Sequence, residues 1–331
     1  MKVAVIGAGA IGCITGAMLH ECGHDVTLVC RREQAAAINS GGLVLDGITS
    51  RTYAIPAMES LCFRPDAVIL AVKTQDIEDT AKSIKQHTDG SIIVTMQNGV
   101  KSDELAAGIL GRDHIVSTVV MFGSTYRKPG HVTYNFPGGL VIGNAFENGR
   151  QGLVEEANAL FDKAFEISIS DDIHGAHRTK LILNLNNALA GILGTTLQET
   201  FSDERTCGLG VMLMREAYDV MGTAGMGLST LPDLPVERLK SLLFAPPEVS
   251  ADVYGKIMSG LSATPLPGSI LQSIRRGRNS EVDYLNGEIA VLGLLHRHPA
   301  PLNIKAVKLV KEVEKTGRFM DRDTLFKEMD I

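Results

Sequence analysis

Short apolar runs alternate with longer amphipathic stretches through the first half of the chain. The runs are four to six residues long and rich in valine and isoleucine, which is typical of strands buried on both faces. They cover residues 3–6, 26–29, 67–72, 92–96 and 115–120. The stretches between them predict helices over residues 10–22, 32–39, 75–87 and 101–110. This alternation predicts a doubly wound α/β unit with a parallel sheet covered by helices.

The pattern changes in the second half. Residues 123–143 mix glycine and proline with β-formers such as Val132, Thr133 and Tyr134, which predicts antiparallel strands that extend the sheet. A helix is predicted over residues 151–165, and strand signals nearly vanish after Ile169. The remainder predicts helices at 172–193, 202–225, 233–243, 249–260, 269–276, 279–297 and 300–316. We therefore predict an all-α C-terminal domain over residues 170–331.

Composition narrows the class of protein. With 331 residues, 44% hydrophobic and 21% charged, the chain is long enough for two ordinary soluble domains. Its strand-like runs are far shorter than the ~20 residues of a membrane span, and Lys2 within the first strand argues against a secretory signal. Five cysteines without a C-x-x-C pair argue against a disulfide framework and against a zinc site. A net charge of −6 argues against nucleic-acid binding. We expect a cytoplasmic protein with no metal.

The first strand leads into a glycine-rich turn that opens a helix, and a second strand follows. The turn reads Gly7-Ala8-Gly9-Ala10-Ile11-Gly12. In the dinucleotide fingerprint the first glycine permits a tight turn, the second lets the backbone approach a pyrophosphate, and the third lets the helix pack on the strand. The helix N-terminus adds N–H groups and positive potential. The N-terminal domain, residues 1–169, is therefore predicted to be Rossmann-type, although a glycine turn without a ligand is the alternative. The predicted contacts are Gly7, Gly9, Ala10, Ile11 and Gly12.

The end of the second strand predicts which dinucleotide is bound. Sites that prefer NAD usually place an acid there for the ribose 2′-OH, whereas a 2′-phosphate needs a cation instead. Here Cys30 ends the strand, and Arg31 and Arg32 follow. The sequence therefore predicts NADP(H), with Arg31 as a ligand. The alternative is that both arginines begin a solvated helix.

Two further strands end in polar residues. Lys73 follows the run 67–72, and Asn98 follows the run 92–96. Ligands of open α/β sheets lie beyond the carboxyl ends of the strands, so both residues are predicted to lie beside the glycine turn. Each also has an ordinary explanation, as a surface lysine and as part of an Asn-Gly turn.

The helical domain contains a lysine in an apolar helix. Lys180 and Asn184 are four residues apart and share one helix face. A lysine that loses water has a lowered pKa and can serve as a general acid, although a snorkelling lysine is the competing interpretation. Further along, a helix is predicted to break at Gly277, and Glu281 lies in the first turn of the next. Helix-dipole stabilisation alone would explain an acid there.

Taken together these motifs resemble the ketopantoate reductase (2-dehydropantoate 2-reductase) family. The resemblance covers nearly the whole chain. It rests on GAGAIG, the arginine after the second strand, Val72-Lys73, QNGV at 97–100, K-x-x-x-N at 180–184 and S-x-L-Q…E-x-D-Y-x-N-G from 269 to 287. It implies an NADP-dependent oxidoreductase acting on CH–OH that reduces 2-dehydropantoate to pantoate in pantothenate biosynthesis.

The resemblance also implies roles for individual residues. Lys180 would be the general acid, with Glu281 and Asn184 orienting the substrate hydroxyl and the lysine. Ser269 would hold the substrate carboxylate. Asn98 would lie between cofactor and substrate. Lys73 would lie there too, and Lys73, Asn98 and Glu281 would contact the cofactor.

Two positions depart from the family pattern. Ala188 and Leu266 stand where the family often has asparagines. A pocket lined by alanine and leucine suits a different branched or larger 2-oxo acid, which is the first alternative. The second is a non-catalytic NADP(H)-binding regulator. The expected partner is a small 2-oxo acid, with no nucleic acid and no membrane, and the sequence leaves the oligomeric state open, a homodimer included.

Overall fold

The computed structural model describes residues 1–147 and 149–331. These residues form two compact units. The first is Met1–Ala176 and the second is His177–Ile331. The division falls within one helix, Ile173–Asn184. The domain boundary that the sequence places between residues 169 and 170 stays a prediction.

The described residues of the first unit form the strands, five complete α-helices and the start of the helix Ile173–Asn184. Its strands are β1 (Lys2–Ile6), β2 (Asp25–Val29), β3 (Leu43–Gly47), β4 (Arg51–Tyr53), β5 (Ala57–Met58), β6 (Ala67–Leu70), β7 (Ile92–Thr95), β8 (Ile115–Val120), β9 (Gly123–Lys128), β10 (His131–Phe136), β11 (Leu140–Asn144) and β12 (Ile167–Ile169). Its helices are α1 (Ala10–Glu21), α2 (Arg32–Gly41), α3 (Ile77–Ile84), α4 (Ser102–Leu110) and α5 (Leu153–Phe161), with 3-10 turns at Thr74–Asp76 and Lys85–His87.

The main sheet has eight strands in the order β12-β11-β8-β7-β6-β1-β2-β5. Starting at the β5 edge of the sheet, each strand pairs in parallel with the next one as far as β8. Beyond β8, β11 runs antiparallel to β8 and parallel to β12. The central strands β6, β7 and β8 are buried along their whole length, as their apolar sequences require. The predicted α/β fold class, a doubly wound sheet followed by helices, is confirmed.

A second, four-stranded sheet corrects one prediction. Its order is β4-β3-β10-β9, so β9 and β10 do not extend the main sheet. Of the strands predicted within residues 123–143, β11 is the one that joins the main sheet. Alternation predicts that a segment is a strand but not which strand it pairs with. The apolar face of this sheet covers α1, where Leu43, Leu45 and Val132 share one buried cluster with Ile14 and Ala17.

The second unit is helical in its described residues. Its helices are α6 (Ile173–Asn184), α7 (Asn187–Leu193), α8 (Leu197–Thr200), α9 (Glu204–Thr223), α10 (Val236–Phe244), α11 (Pro247–Ser259), α12 (Ser269–Arg275), α13 (Asn286–Leu295), α14 (Pro301–Thr316) and α15 (Arg322–Met329), with a 3-10 turn at Val282–Tyr284. Within the parts of the chain that the structure describes, no helix is long and apolar enough to cross a membrane.

The single helix predicted over residues 172–193 is two helices. A turn at Leu185 and Asn186 separates α6 from α7. Asn187 explains the break, because its side-chain amide donates to the Asn184 carbonyl oxygen at 3.1 Å and so competes with the helical hydrogen bonds. The apolar pattern continues through the break, which is why periodicity alone predicts one helix.

The second sheet gives the first prediction. Leu45→Ala should lower the free energy of unfolding by about 2–5 kcal/mol, because Leu45 is fully buried against α1 and its loss leaves a cavity. Urea unfolding measures the change. Val44→Ala, on the partly exposed face of the same strand, is the matched control and should lose less. Equal losses at both positions would contradict the packing of this sheet on α1.

Candidate active site

The glycine turn after β1 is held tightly by the neighbouring strand. Gly7 has φ +103°, a conformation that residues with a Cβ rarely adopt. A Cβ on Gly7 would lie 2.6 Å from the Val72 nitrogen, in the loop after β6. A Cβ on Gly12 would overlap the Gly7 carbonyl oxygen. Contacts within the protein therefore require glycine at both positions.

Gly9 differs from its two neighbours in the motif. It has ordinary extended backbone and precedes the first helical residue of α1. A Cβ there would meet no described atom within 4 Å. The N–H groups of Ala10 and Ile11 precede the first bond of the helix, which runs from Cys13 N–H to the Gly9 carbonyl at 3.0 Å. An open space thus lies beside backbone donors, as a phosphate-bearing ligand needs.

A buried glutamine fixes this turn and has no counterpart in the sequence prediction. The Gln34 side-chain amide donates to the Ala8 carbonyl oxygen at 2.9 Å. Its oxygen accepts from the Tyr126 hydroxyl and from Gly130 N–H, both at 2.9 Å. The turn is therefore tied to the second sheet. Gln34 lies on α2, a helix of ordinary polarity. Its role is visible only from its hydrogen bonds to Tyr126 of β9 and to Gly130, in the turn between β9 and β10.

The loops after β6 and β7 lie beside the glycine turn. Because β1, β6 and β7 are adjacent parallel strands, their carboxyl ends meet at one edge. The buried Gln97 side chain joins the two loops by donating to the Leu70 and Val72 carbonyl oxygens at 2.9 and 3.0 Å. Lys73 and Asn98, both half-buried, follow these bonds directly. The structure thus brings the two predicted residues together in the first unit.

The end of β2 holds an arginine and an unexpected acid. Arg31 is exposed and directly precedes the first residue of α2. Cys30 N–H donates to the Met58 carbonyl oxygen at 2.9 Å, which places Glu59 beside Cys30. Burial and the nearby Glu59 charge raise the pKa of the Cys30 thiol to about 11. Glu59 is missed from sequence because it follows the very short strand β5, which carries almost no pattern.

In the second unit the two predicted catalytic residues lie close enough to interact. Lys180 is on α6 and only partly accessible, while Glu281, just before the 3-10 turn, is buried with 4% of its surface exposed. Loss of hydration lowers the pKa of the Lys180 ammonium to about 8, and the Glu281 carboxylate opposes that effect. Lys180 is therefore a cation that can release its proton near neutral pH.

Asn184 and Ser269 are connected through a residue that the sequence analysis overlooks. Asn187 donates to the Asn184 carbonyl oxygen, and its own side-chain oxygen accepts from Ser269 N–H at 3.2 Å. The first turn of α12 is thereby joined to the end of α6. The signal is present in the sequence, since three asparagines lie within 184–187, but spacing alone does not assign their partners.

The two positions that depart from the family pattern are buried. Ala188 is fully buried and Leu266 is 5% exposed. Leu266 is also fixed through its backbone, since its N–H donates to the Gln198 side-chain oxygen at 2.9 Å. The chain therefore has a buried apolar side chain at each of two positions where the family often has an asparagine amide.

Comparison with known families decides the identity of the fold. The family model "Ketopantoate reductase PanE/ApbA" matches residues 3–146, and the corresponding C-terminal model matches residues 172–314. The chain belongs to the ketopantoate reductase family. It is therefore an oxidoreductase acting on CH–OH, of the type that reduces 2-oxo acids with a nicotinamide cofactor.

Relatives and solved structures agree with this assignment. A 2-dehydropantoate 2-reductase of Pyrococcus horikoshii is 28% identical over 96% of this chain and 99% of its own length. One of Aquifex aeolicus is 26% identical over 95% and 97%. The crystal structure of a PanE/ApbA family ketopantoate reductase from Ralstonia eutropha JMP134 has a TM-score of 0.79 at 27% identity, covering 95% of this chain and 99% of that chain. D-mandelate dehydrogenase with NADH and anilino(oxo)acetate, at 20% identity and a TM-score of 0.82 over 96% and 99%, shares the fold.

The first unit fits a nicotinamide dinucleotide. The space over Gly9, the N–H groups of α1 and the polar loop ends all face one edge of the sheet. Ligands of open α/β sheets lie at this edge.

The glycine turn gives the second prediction. Gly9→Ala should leave the unfolding midpoint nearly unchanged and weaken binding of the dinucleotide by at least tenfold, because the new methyl group enters the open space and nothing else. Calorimetric titration and thermal unfolding measure the two effects.

Gly12→Ala is the matched control. Its methyl group would overlap the Gly7 carbonyl, so this variant should unfold at a lower temperature. If Gly9→Ala binds the dinucleotide as tightly as the unchanged protein, the space over Gly9 is not the cofactor site.

Proposed function

We propose that this protein catalyses the NADPH-dependent reduction of 2-dehydropantoate to pantoate, a step of pantothenate biosynthesis. The observation that supports the mechanism most directly is the Lys180 ammonium, desolvated on α6 and opposed by the buried Glu281 carboxylate. Relatives named 2-dehydropantoate 2-reductase, aligned over most of the chain, support the substrate.

The chemistry requires a proton donor at the substrate carbonyl. When hydride adds to the carbonyl carbon, the π electrons of the C=O bond move to oxygen, and the resulting alkoxide must be neutralised. Lys180 gives its proton to that oxygen and becomes a neutral amine, which regains a proton from solvent. A donor whose pKa is near the working pH transfers a proton efficiently in both directions of the reaction.

The neighbouring residues have supporting roles. Glu281 keeps Lys180 charged before reaction, and Asn184, one turn along α6, orients the substrate hydroxyl. Ser269, at the start of α12, holds the substrate carboxylate. The link through Asn187 fixes Ser269 relative to Asn184, and so fixes the two substrate contacts relative to each other.

In the first unit the glycine turn holds the dinucleotide. Gly9, Ala10, Ile11 and Gly12 supply backbone to the pyrophosphate, and Arg31 binds the 2′-phosphate by a charge-assisted hydrogen bond. When bound, the cofactor supplies the hydride. Lys73 and Asn98, on the neighbouring loops, would lie between cofactor and substrate.

A second candidate substrate is supported by one observation. Ala188 and Leu266 are buried apolar side chains at positions where the family often has asparagine. A different branched or larger 2-oxo acid would find more apolar surface and fewer amides there. Oxidation of NADPH against a panel of 2-oxo acids separates the two substrates, and a protein that binds NADPH but oxidises it with none of them would be a regulator.

The role of Lys180 gives the third prediction. Lys180→Ala should lower kcat by about 10²–10⁴-fold while NADPH binding persists, because the variant lacks only the proton donor. Lys180→Arg should not restore turnover, since a guanidinium keeps its proton near neutral pH. The exposed Lys256 is the matched control, and Lys256→Ala should have normal turnover.

The pH dependence of kcat checks the same role. A lysine acid is active when protonated, so kcat for the reduction should be highest below pH 8 and fall as pH rises through the Lys180 pKa of about 8. Near-normal turnover of Lys180→Ala on the best substrate would make the lysine structural and would require another donor.

Cofactor preference gives the fourth prediction. Arg31→Ala should weaken NADPH binding by about 10- to 100-fold, the loss of one charge-assisted hydrogen bond, and leave NADH binding nearly unchanged. Glu59→Gln should strengthen NADPH binding, since it removes a negative charge beside the end of β2. Equal losses of both cofactors in Arg31→Ala would contradict the 2′-phosphate site.

A further inference from the structure

Two buried asparagines connect the helix that carries Lys180 to the segment that carries Glu281. Asn286 and Asn303 are both fully buried. The Asn286 side-chain amide donates to the Leu185 carbonyl oxygen at 3.2 Å, one residue beyond the end of α6. It also donates to the Asn303 side-chain oxygen at 2.9 Å, on α14.

The connection continues to a third helix. Asn303 donates to the Leu213 carbonyl oxygen at 3.2 Å and to Glu216 at 2.9 Å, both on α9. The Glu216 carboxylate also accepts from the backbone N–H groups of Leu302 and Asn303, at 2.9 and 2.8 Å, and so caps the start of α14. Asn303 is therefore fixed on both sides.

The segment around Glu281 is attached to α14 at two further points. Ser280 N–H donates to the Glu314 carboxylate at 2.6 Å, and Lys311 pairs with Asp283 at 2.6 Å. These contacts hold residues 280–283 on α14 alone. Asn286, the first residue of α13, also reaches the α6–α7 turn.

The hydrogen bonds of Asn286 leave one of its polar atoms without a partner among the described residues. Both of its amide hydrogens are used, but its side-chain oxygen is buried with no partner among the described residues. A buried polar atom without a partner destabilises a protein by roughly 1–3 kcal/mol. An apolar side chain of similar volume would remove that oxygen, but it would also remove the donor to the Asn303 side-chain oxygen and the connection to Leu185.

We propose that Asn286 is a positioning residue that holds the Glu281 segment against the end of α6, and so keeps the Lys180 ammonium beside the Glu281 carboxylate. The proposal rests on the role proposed above for Lys180. Among the described charged groups, Glu281 is the one whose field acts on Lys180, while Asp283, Lys311 and Glu314 hold the segment. Loosening the segment should therefore weaken one specific interaction.

The test is Asn286→Leu, in two measurements. In the cofactor-free protein, competitive acetylation of lysines across a pH series, read by mass spectrometry, gives the pKa of Lys180. It should fall below the unchanged protein's value, because Glu281 no longer raises it as strongly. In the complete assay kcat should fall by about 10- to 100-fold with little change in KM for NADPH.

Two further variants separate positioning from stability. Ser250→Ala removes a fully buried hydroxyl of α11 and should lower the unfolding temperature without moving the Lys180 pKa. Asn286→Ser keeps a donor in a smaller side chain and should shift the pKa in the same direction, which keeps the test decisive if Asn286→Leu does not fold. In a Glu281→Gln background, Asn286→Leu should cause no further shift.

The outcomes distinguish the two proposals. An unchanged or raised Lys180 pKa in both Asn286 variants overturns the positioning role, whatever their stability. A lowered pKa together with normal turnover of Lys180→Ala leaves the positioning role intact and overturns the catalytic one.

Discussion

The reaction proposed for this protein depends on a lysine ammonium placed where it is poorly hydrated. Removing water from a cation favours its neutral form, and a nearby carboxylate favours the charged form. On α6 the first effect dominates and leaves Lys180 with a pKa near 8. The balance holds only if Glu281 stays at a fixed distance, so the helical unit needs rigid connections between α6, α14 and the segment before α13. Buried amides supply them, because their hydrogen bonds are directional in a way that apolar packing is not.

In the first unit, amide side chains again fix the site, but there they hold backbone turns and loops. A dinucleotide site must expose backbone N–H groups, which leaves a turn with few side chains to stabilise it. Gly7 and Gly12 let the turn pack against the β6 loop and itself. Gln34 of α2 connects the turn to the second sheet, with one hydrogen bond to Ala8 of the turn and two from Tyr126 and Gly130. Gln97 does the same for the loops that carry Lys73 and Asn98. Amide side chains, able to donate and accept at once, thus support both units.

The parts that sequence reasoning predicts are those with local signals. The parallel strands, the glycine turn and the pair Lys180 and Asn184 follow from periodicity, spacing and polarity within a few residues. The pairing of β10 with β3 and the position of Glu59 depend on partners distant in sequence. Gln34, Asn187 and Asn286 are unremarkable polar residues until their acceptors are known. Supporting residues are therefore harder to predict than the residues they support.

The same distinction bears on substrate choice. Family membership fixes the reaction type, and the family models match most of both units of this chain. Substrate identity depends on the other side chains around the substrate, and the second candidate substrate proposed above rests on Ala188 and Leu266, which are buried and apolar. A site built to hydrogen-bond a substrate hydroxyl discriminates strongly against analogues that lack it, whereas an apolar pocket discriminates weakly between hydrocarbon shapes. In the pocket proposed above, Ala188 and Leu266 would therefore relax selection on polar groups more than they create a new preference, and the proton transfer proposed for Lys180 does not depend on them.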